Sequence, residues 1–353
     1  MATSRCLPAI HEDILYHVFE HDSIRQTLPD VAVVCHAWTQ PAQSALYRDL
    51  VFTTMDNRKR DVLLASTMRT HAHLRRHVRR LKLLTFWTHS PSPEMCDWIQ
   101  LLPAHCMREF HWVWLRGHIL PAVVDYPAVR TISHMTLKGR LHSSSKLQPI
   151  LELPHLRSLS LELSGHEVGE LYAPETQQLE QLNVYLSIGY GPIFDKLLAA
   201  VGPQLGAFRL VCKMGYKPKE DAQLVSAIAE YLPNLTRLDV SARFIVNEPV
   251  SFLDGLVGRY GTLQHLRCAE DTYSERIFKN LPPTLRTLEL SSGAVFHEAA
   301  LLEFLQTRGC SHLTALKVVT SGSREQLVPV EVECRKGGVD FHVVVEHCDP
   351  TSD

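Results

Sequence analysis

The stretch "LRSLSLELS", Leu156 to Ser164, decides the fold. Its apolar residues fall at the first, fourth and sixth places, Leu156, Leu159 and Leu161. The last three of those places alternate apolar, polar, apolar, which is the period of a strand with one buried face. The figure returns downstream as "LEQLNV" from Leu179, "LGAFRL" from Leu205, "LTRLDV" from Leu235, "LQHLRC" from Leu263, "LRTLEL" from Leu285 and "LTALKV" from Leu313. Upstream lie looser copies: "VRRLKL" from Val78, "MREFHW" from Met107 and "ISHMTL" from Ile132. Ten copies thus begin at residues 78, 107, 132, 156, 179, 205, 235, 263, 285 and 313, with gaps of 22 to 30 residues. One such figure is common wherever leucine is common; ten at a near-constant spacing mark a repeat array.

The residues between copies predict helices. "KEDAQLVSAIAEYL" (219–232), "PVSFLDGLVGRY" (249–260) and "FHEAALLEFLQTR" (296–308) carry apolar residues three and four apart, as in Leu224, Ile228 and Leu232. That spacing is one buried helix face, and Pro233, Gly261 and Gly309 punctuate the ends. Each repeat therefore reads strand, loop, helix, loop, a unit that buries its apolar face only by stacking on its neighbours. The pattern resembles the leucine-rich repeats over roughly 78–320. The resemblance implies an α/β solenoid, a horseshoe with a parallel sheet on its concave side. The Asn or Cys that many members of that family keep after the figure is replaced here by residues such as Ser164, Ser187 and Ala242. The segment "VDFHVVVEH" (339–347) alternates Phe341, Val343 and Val345 and reads as a closing strand. The expected repeat domain is 78–348, followed by a short tail, 349–353.

Composition removes several function classes. A formal net charge of -2 gives no global pull toward nucleic acid or anionic membrane. The nine cysteines are odd in number and form no C-x-x-C pair, so they read as reduced thiols of the cytoplasm or nucleus. No apolar run reaches the length of a membrane span, and "MATSRCLPAI" does not read as a signal peptide. No Gly-rich phosphate loop, G-x-S-x-G or H-E-x-x-H is present. The chain is therefore expected to be non-catalytic, without cofactor or metal.

Before the repeats stands a separate apolar segment. "LPAIHEDILYHVFEH" (7–21) places Ile10, Ile14, Leu15, Val18 and Phe19 at helical spacing. "QTLPDVAVVCHAW" adds Leu28, Val31, Val34, Cys35 and Trp38, and Pro41 opens a further helical turn with Ala42, Ala45, Leu46 and Tyr47. About three short helices in so few residues make a marginal core, which a partner or the repeats must complete. Leu7-Pro8, "EDILYHVF", "VCHAW" and "ALYRDL" together resemble an F-box, spanning 1–50 with a helical linker or cap at 51–77. With repeats behind it, the order resembles F-box/leucine-rich-repeat proteins, particularly those numerous in fungi. The resemblance implies a substrate receptor of a Skp-cullin-F-box ubiquitin ligase that docks on a Skp-family adaptor, and through it a cullin, and presents an unidentified protein substrate. Leu7, Pro8, Ile10, Ile14, Leu28 and Val31 are expected to meet the adaptor. Phe19, Val34, Cys35, Trp38, Leu46 and Tyr47 are expected to hold the helices together. The bland alternative is a mere N-terminal cap of the solenoid; another is a scaffold acting outside a ligase.

The strand period also offers a candidate binding face; the alternative is that a ligand uses the loops or the C-terminal tail and that this row is only solvated. The residue between the last two apolar places of each copy points away from the core. In order these are Lys82, His111, Thr136, Ser160, Asn183, Arg209, Asp239, Arg267, Glu289 and Lys317. Mixed signs suit a protein ligand better than a nucleic acid. The basic segment 58–82, with nine Lys/Arg, is a lesser nucleic-acid alternative and reads as a solvated helix face. His71, His73 and His77 read as a chance cluster, Trp112 and Trp98 as core, and Trp114 as a strand-end residue.

Overall fold

The structure is a computed structural model. It describes residues 18, 27–33, 36–53, 58–85, 97–114, 121–143, 147–167, 169–175, 177–186, 191–213, 218–243, 252–269, 272–292, 297–307, 312–321 and 324–345. The chain divides into two compact units, Met1–Gly139 with Leu153–Leu156, and Arg140–Glu152 with Arg157–Asp353. Within each unit the order of the hydrogen-bonded strands is the order of the sequence.

The first unit opens with α1 (Leu28–Val31) and α2 (His36–Arg48), which leads directly into β1 (Asp49–Thr53). Then come α3 (Arg58–Thr70), α4 (Ala72–Arg75), β2 (Arg80–Thr85), a 3-10 turn at Asp97–Leu101, β3 (Glu109–Trp114), two further 3-10 turns and β4 (His134–Ser143). β1, β2, β3 and β4 pair in parallel. In the second unit α5 (Gln148–Leu151) precedes β5 (Ser158–Glu167) and β6 (Gln181–Leu186). From there strands and helices alternate: α6 (Pro192–Val201), β7 (Ala207–Lys213), α7 (Pro218–Tyr231), β8 (Arg237–Arg243), α8 (Phe252–Leu256) and β9 (His265–Cys268). The series closes with α9 (Ile277–Asn280), β10 (Thr287–Ser292), α10 (Glu298–Thr307), β11 (Ala315–Thr320), α11 (Val328–Gly337) and β12 (Asp340–Val345). All pairings from β5 to β12 are parallel.

The repeated figure is the core. All thirty apolar residues of the ten copies are buried, Leu313 being the most exposed at 6%. Helices cover the inward face, as where Phe194 of α6 meets Phe208 of β7 with ring centroids 6.4 Å apart. α6 shows why such a segment is helical. Pro192 sits at its first position, where a missing N–H costs nothing, and Asp195 lies in its first turn. Ile193, Phe194, Leu197, Leu198 and Val201 form one buried stripe. α11 stops at Gly338, whose φ of 70° is left-handed, and the Val339 amide closes back on the Cys334 carbonyl at 2.8 Å.

Between the first and second apolar places lies an x-x pair that stacks the repeats. One carbonyl in each repeat accepts both amides at the same place in the next. Arg79 accepts from Arg108 and Glu109, Glu180 from Gly206 and Ala207, Gly206 from Thr236 and Arg237, and Arg286 from Thr314 and Ala315. The Thr236 and Thr314 hydroxyls add a third donor to the same carbonyls at 2.9 and 3.1 Å. These bonds extend the parallel pairing to the residues just before each strand.

Several expectations are corrected. The sheet does not begin at residue 78. β1 lies across the expected boundary at residue 50, with Leu50 and Phe52 buried and Val51 exposed. Phe52 stacks on Trp98 at 5.1 Å, and the Thr53 amide donates to buried Asp61 of α3 at 3.1 Å. Residues 51–77 are therefore not purely a helical linker. Pro41 does not open a new helix but lies inside α2; at its sixth residue it removes one intrahelical bond without ending the helix. The connection between β5 and β6 has no helix among its described residues. There, Tyr172 exchanges two backbone bonds with the Gln148 side chain, at 3.1 and 3.2 Å, and its hydroxyl donates to Glu152 at 3.0 Å. The segment 339–347 does supply a strand, β12, but α11 precedes it, so it completes a further repeat.

Candidate interaction face of the sheet

The register aligns the expected row. In the first unit Lys82, His111 and Thr136 are direct partners, with Val51 of β1 ahead of them. In the second unit Ser160, Asn183, Arg209, Asp239, Arg267, Glu289 and Lys317 are partners in sequence, and His342 of β12 extends the row. Side chains two residues apart share this face, so each position of the row has a neighbour on either side along its strand.

Across β7 to β11 the row is a ladder of alternating charge. Arg209 reaches Asp239 at 3.3 Å, and Arg267 bridges Asp239 at 3.7 Å and Glu289 at 3.3 Å. Lys317 donates to Glu289 at 3.0 Å. The anions lie deeper than the cations. Asp239 and Glu289 keep 10% and 24% of their side-chain surface, against 39%, 42% and 41% for Arg209, Arg267 and Lys317. Burial pushes the Asp239 carboxyl up, against the pull of Arg209, Arg267 and Arg237. Its Oδ1 is buried without a hydrogen-bond partner among the described residues. Toward β5 the row turns neutral, and the Asn183 amide donates to the Ser160 hydroxyl at 2.8 Å.

The first unit carries a second charge cluster. Arg80 grips Glu109 with two donors, at 2.7 and 3.2 Å, and lies 3.8 Å from Asp49. His111 lies 3.2 Å from the same carboxylate. The Arg80 hydrogen bonds hold Glu109 at about 2, well below the usual carboxylate range.

The basic segment is not a simple solvated face. Arg69 pairs with Asp97 at 2.8 Å, and Arg75 donates to the Met68 and Arg69 carbonyls. Arg79 donates to the Cys106 carbonyl at 2.7 Å. Arg69 and Arg79 tie their segment to the next, Arg75 caps the end of α3, and Lys59, Arg60 and Arg76 stay exposed. The correction has a physical reason: an arginine near a helix end finds free carbonyls that a helical-wheel reading leaves out. His71 and His73 have ring centroids 5.8 Å apart. No group of three or more potential metal ligands occurs among the described residues. Trp98 and Trp112 are buried, while the Trp114 side chain lies outside what is described.

Of the F-box-like positions, Leu7, Pro8, Ile10, Ile14, Phe19, Val34 and Cys35 lie outside the described residues. Val18 is helical and 44% exposed. Leu28 is corrected: expected at a partner surface, it is 1% exposed and packs with Ala42 against Val31, Ala32, Trp38, Ala45 and Leu46. A leucine opening a one-turn helix has only the neighbouring helix to cover it, and α2 does so. Val31, Trp38, Leu46 and Tyr47 are half-buried. The Thr39 hydroxyl donates to the Ala32 carbonyl at 2.9 Å, tying α1 to α2.

A groove of about 460 Å³ lies beside α6 and α7, lined by Pro192, Asp195, Gln223, Ser226, Glu230 and Tyr231 among others. Its lining includes no histidine, cysteine or lysine.

No family model matches this chain, and no curated protein matches it. Among the solved structures that match the chain are two of low similarity. A leucine-rich repeat-containing protein, LegL7 from Legionella pneumophila, shares 14% identity at a TM-score of 0.45, over 76% of this chain and 91% of that one. A chain of the Rad7 and Elc1 complex in yeast shares 14% identity at a TM-score of 0.38, over 94% of this chain and 81% of that one. The α/β repeat architecture itself stands on the strand order and the burial of the ten copies.

Proposed function

We propose that this chain is a non-catalytic protein receptor of a Skp-cullin-F-box ubiquitin ligase, acting in the cytoplasm or nucleus. Its F-box-like N-terminal segment docks on a Skp-family adaptor, and the polar face of its repeats holds a protein substrate. The observation that carries the binding half is the in-register row on one face of the sheet. Side chains there are anchored by strands and partly exposed side by side, Asp239 alone being buried, which gives a pre-organised surface. The adaptor half rests on the residues that resemble an F-box, Leu7-Pro8 through Leu50. The receptor's contribution is proximity: it holds a lysine of its target near a charged conjugating enzyme.

The test is affinity purification of the tagged full chain with identification of what accompanies it. Adaptor and cullin together are the expected result, with loss of both in a Leu7→Ala, Pro8→Ala variant. Recovery of neither by the folded full chain would contradict the reading.

A further inference from the structure

The polar face is uniform neither in charge nor in depth. On β7 to β11, the row and the positions two residues before it hold four cations, Arg209, Arg237, Arg267 and Lys317, against two carboxylates, Asp239 and Glu289. Those carboxylates are the least exposed members of the ladder. They fix the cations in place and leave them to face solvent. The result is an electropositive strip whose charges are held in fixed geometry before any ligand arrives.

The strip has a period. Arg209, Arg267 and Lys317 stand on alternate strands, β7, β9 and β11. Adjacent strands lie ~4.8 Å apart, so alternate ones are ~9.6 Å apart. A polyproline II segment, an extended conformation with three residues per turn, rises ~3.1 Å per residue, so every third side chain returns to the same face ~9.3 Å further on. We propose that this strip reads an acidic, extended peptide segment whose carboxylates recur at about every third residue, crossing the strands from β7 to β11. The cations alternate strand by strand with the carboxylates Asp239 and Glu289, so a ligand whose anions are spaced to the cations suits the strip better than a phosphodiester with a charge at every nucleotide. The inference rests on the proposed receptor function and names the substrate class of that face.

The test is fluorescence anisotropy with the full chain and a labelled twelve-residue peptide bearing Glu at every third position in a Gly/Ser/Ala background. Three competitors accompany it: the same peptide with Lys for Glu, one with its glutamates in a block, and a single-stranded DNA twelve-mer. The spaced Glu peptide should bind at least tenfold more tightly than each of them, and more weakly as salt rises. Lys317→Gln should weaken it about tenfold, the loss of one charge-assisted contact. Because these comparisons between ligands use the unaltered chain, they stand even if a variant misfolds. Equal affinity for the Lys or block peptide, preference for DNA, no measurable binding, or indifference to Lys317→Gln in a folded protein would each overturn the proposal. Adaptor capture measured on the same samples separates this failure from failure of the ligase reading.

Discussion

Leu238 and Asp239 are adjacent on β8 and face opposite sides of the sheet. Leu238 is fully buried among the repeats, and Asp239 lies beneath Arg209 and Arg267 on the polar face. Leu238→Asp places an unpaired charge in the core and should cost on the order of 4 kcal/mol. Lys317→Met, at a half-exposed position where it removes one ion pair with Glu289, should cost no more than about 1 kcal/mol. Urea unfolding midpoints check both, and a Leu238→Asp protein as stable as its parent would refute the strand register. Glu109 offers a pH test. Its folded pKa of about 2 lies below the ordinary 4.5 because Arg80 holds the charged form. Its contribution is therefore present in full above about 4.5 and is lost as pH falls toward about 2. Over that window the parent should lose stability more steeply than Glu109→Gln; parallel curves would contradict the assigned cause. At this scale the sequence was highly legible. The strand period placed every row residue from Lys82 to Lys317. It could not show that Asp239 is covered, because depth within the face depends on neighbouring strands some 28 to 30 residues away.

Among the elements, long amphipathic segments were readable and short ones were not. α7 and α10 announce themselves by spacing, whereas β1 has only five residues inside a run that reads equally well as a helix end. Its identity comes from pairing with β2 and from Phe52 on Trp98, both tertiary facts. Pro41, too, lies buried inside α2 rather than at the start of a new helix. A close approach supplies the test here. A Cβ on Gly202, at the end of α6, would lie 2.3 Å from the Tyr231 carbonyl oxygen at the end of α7. Gly202→Ala must push the two helix ends apart, at about 1–3 kcal/mol. Gly255, with nothing within 4 Å of its Cβ position, is the control: Gly255→Ala adds helix propensity and should be neutral or slightly stabilising. Thermal melts that order these two variants the other way would contradict the packing of α6 on α7.

For the whole molecule, the position of β1 decides how the N-terminal segment can be studied. Removal of residues 1–50 takes Asp49 and Leu50 out of the first strand and confounds docking with folding. Removal of residues 1–26 spares α1, α2 and β1 while deleting Leu7, Pro8, Ile10 and Ile14. The central claim is that these residues dock an adaptor while the repeats fold without them. Isothermal titration of a purified Skp-family adaptor into the full chain and into the 27–353 chain tests it most directly. The account predicts saturable binding to the full chain and none to the shortened one, with matching circular dichroism and melting temperatures. Binding of equal strength to both chains, or to neither, would contradict it.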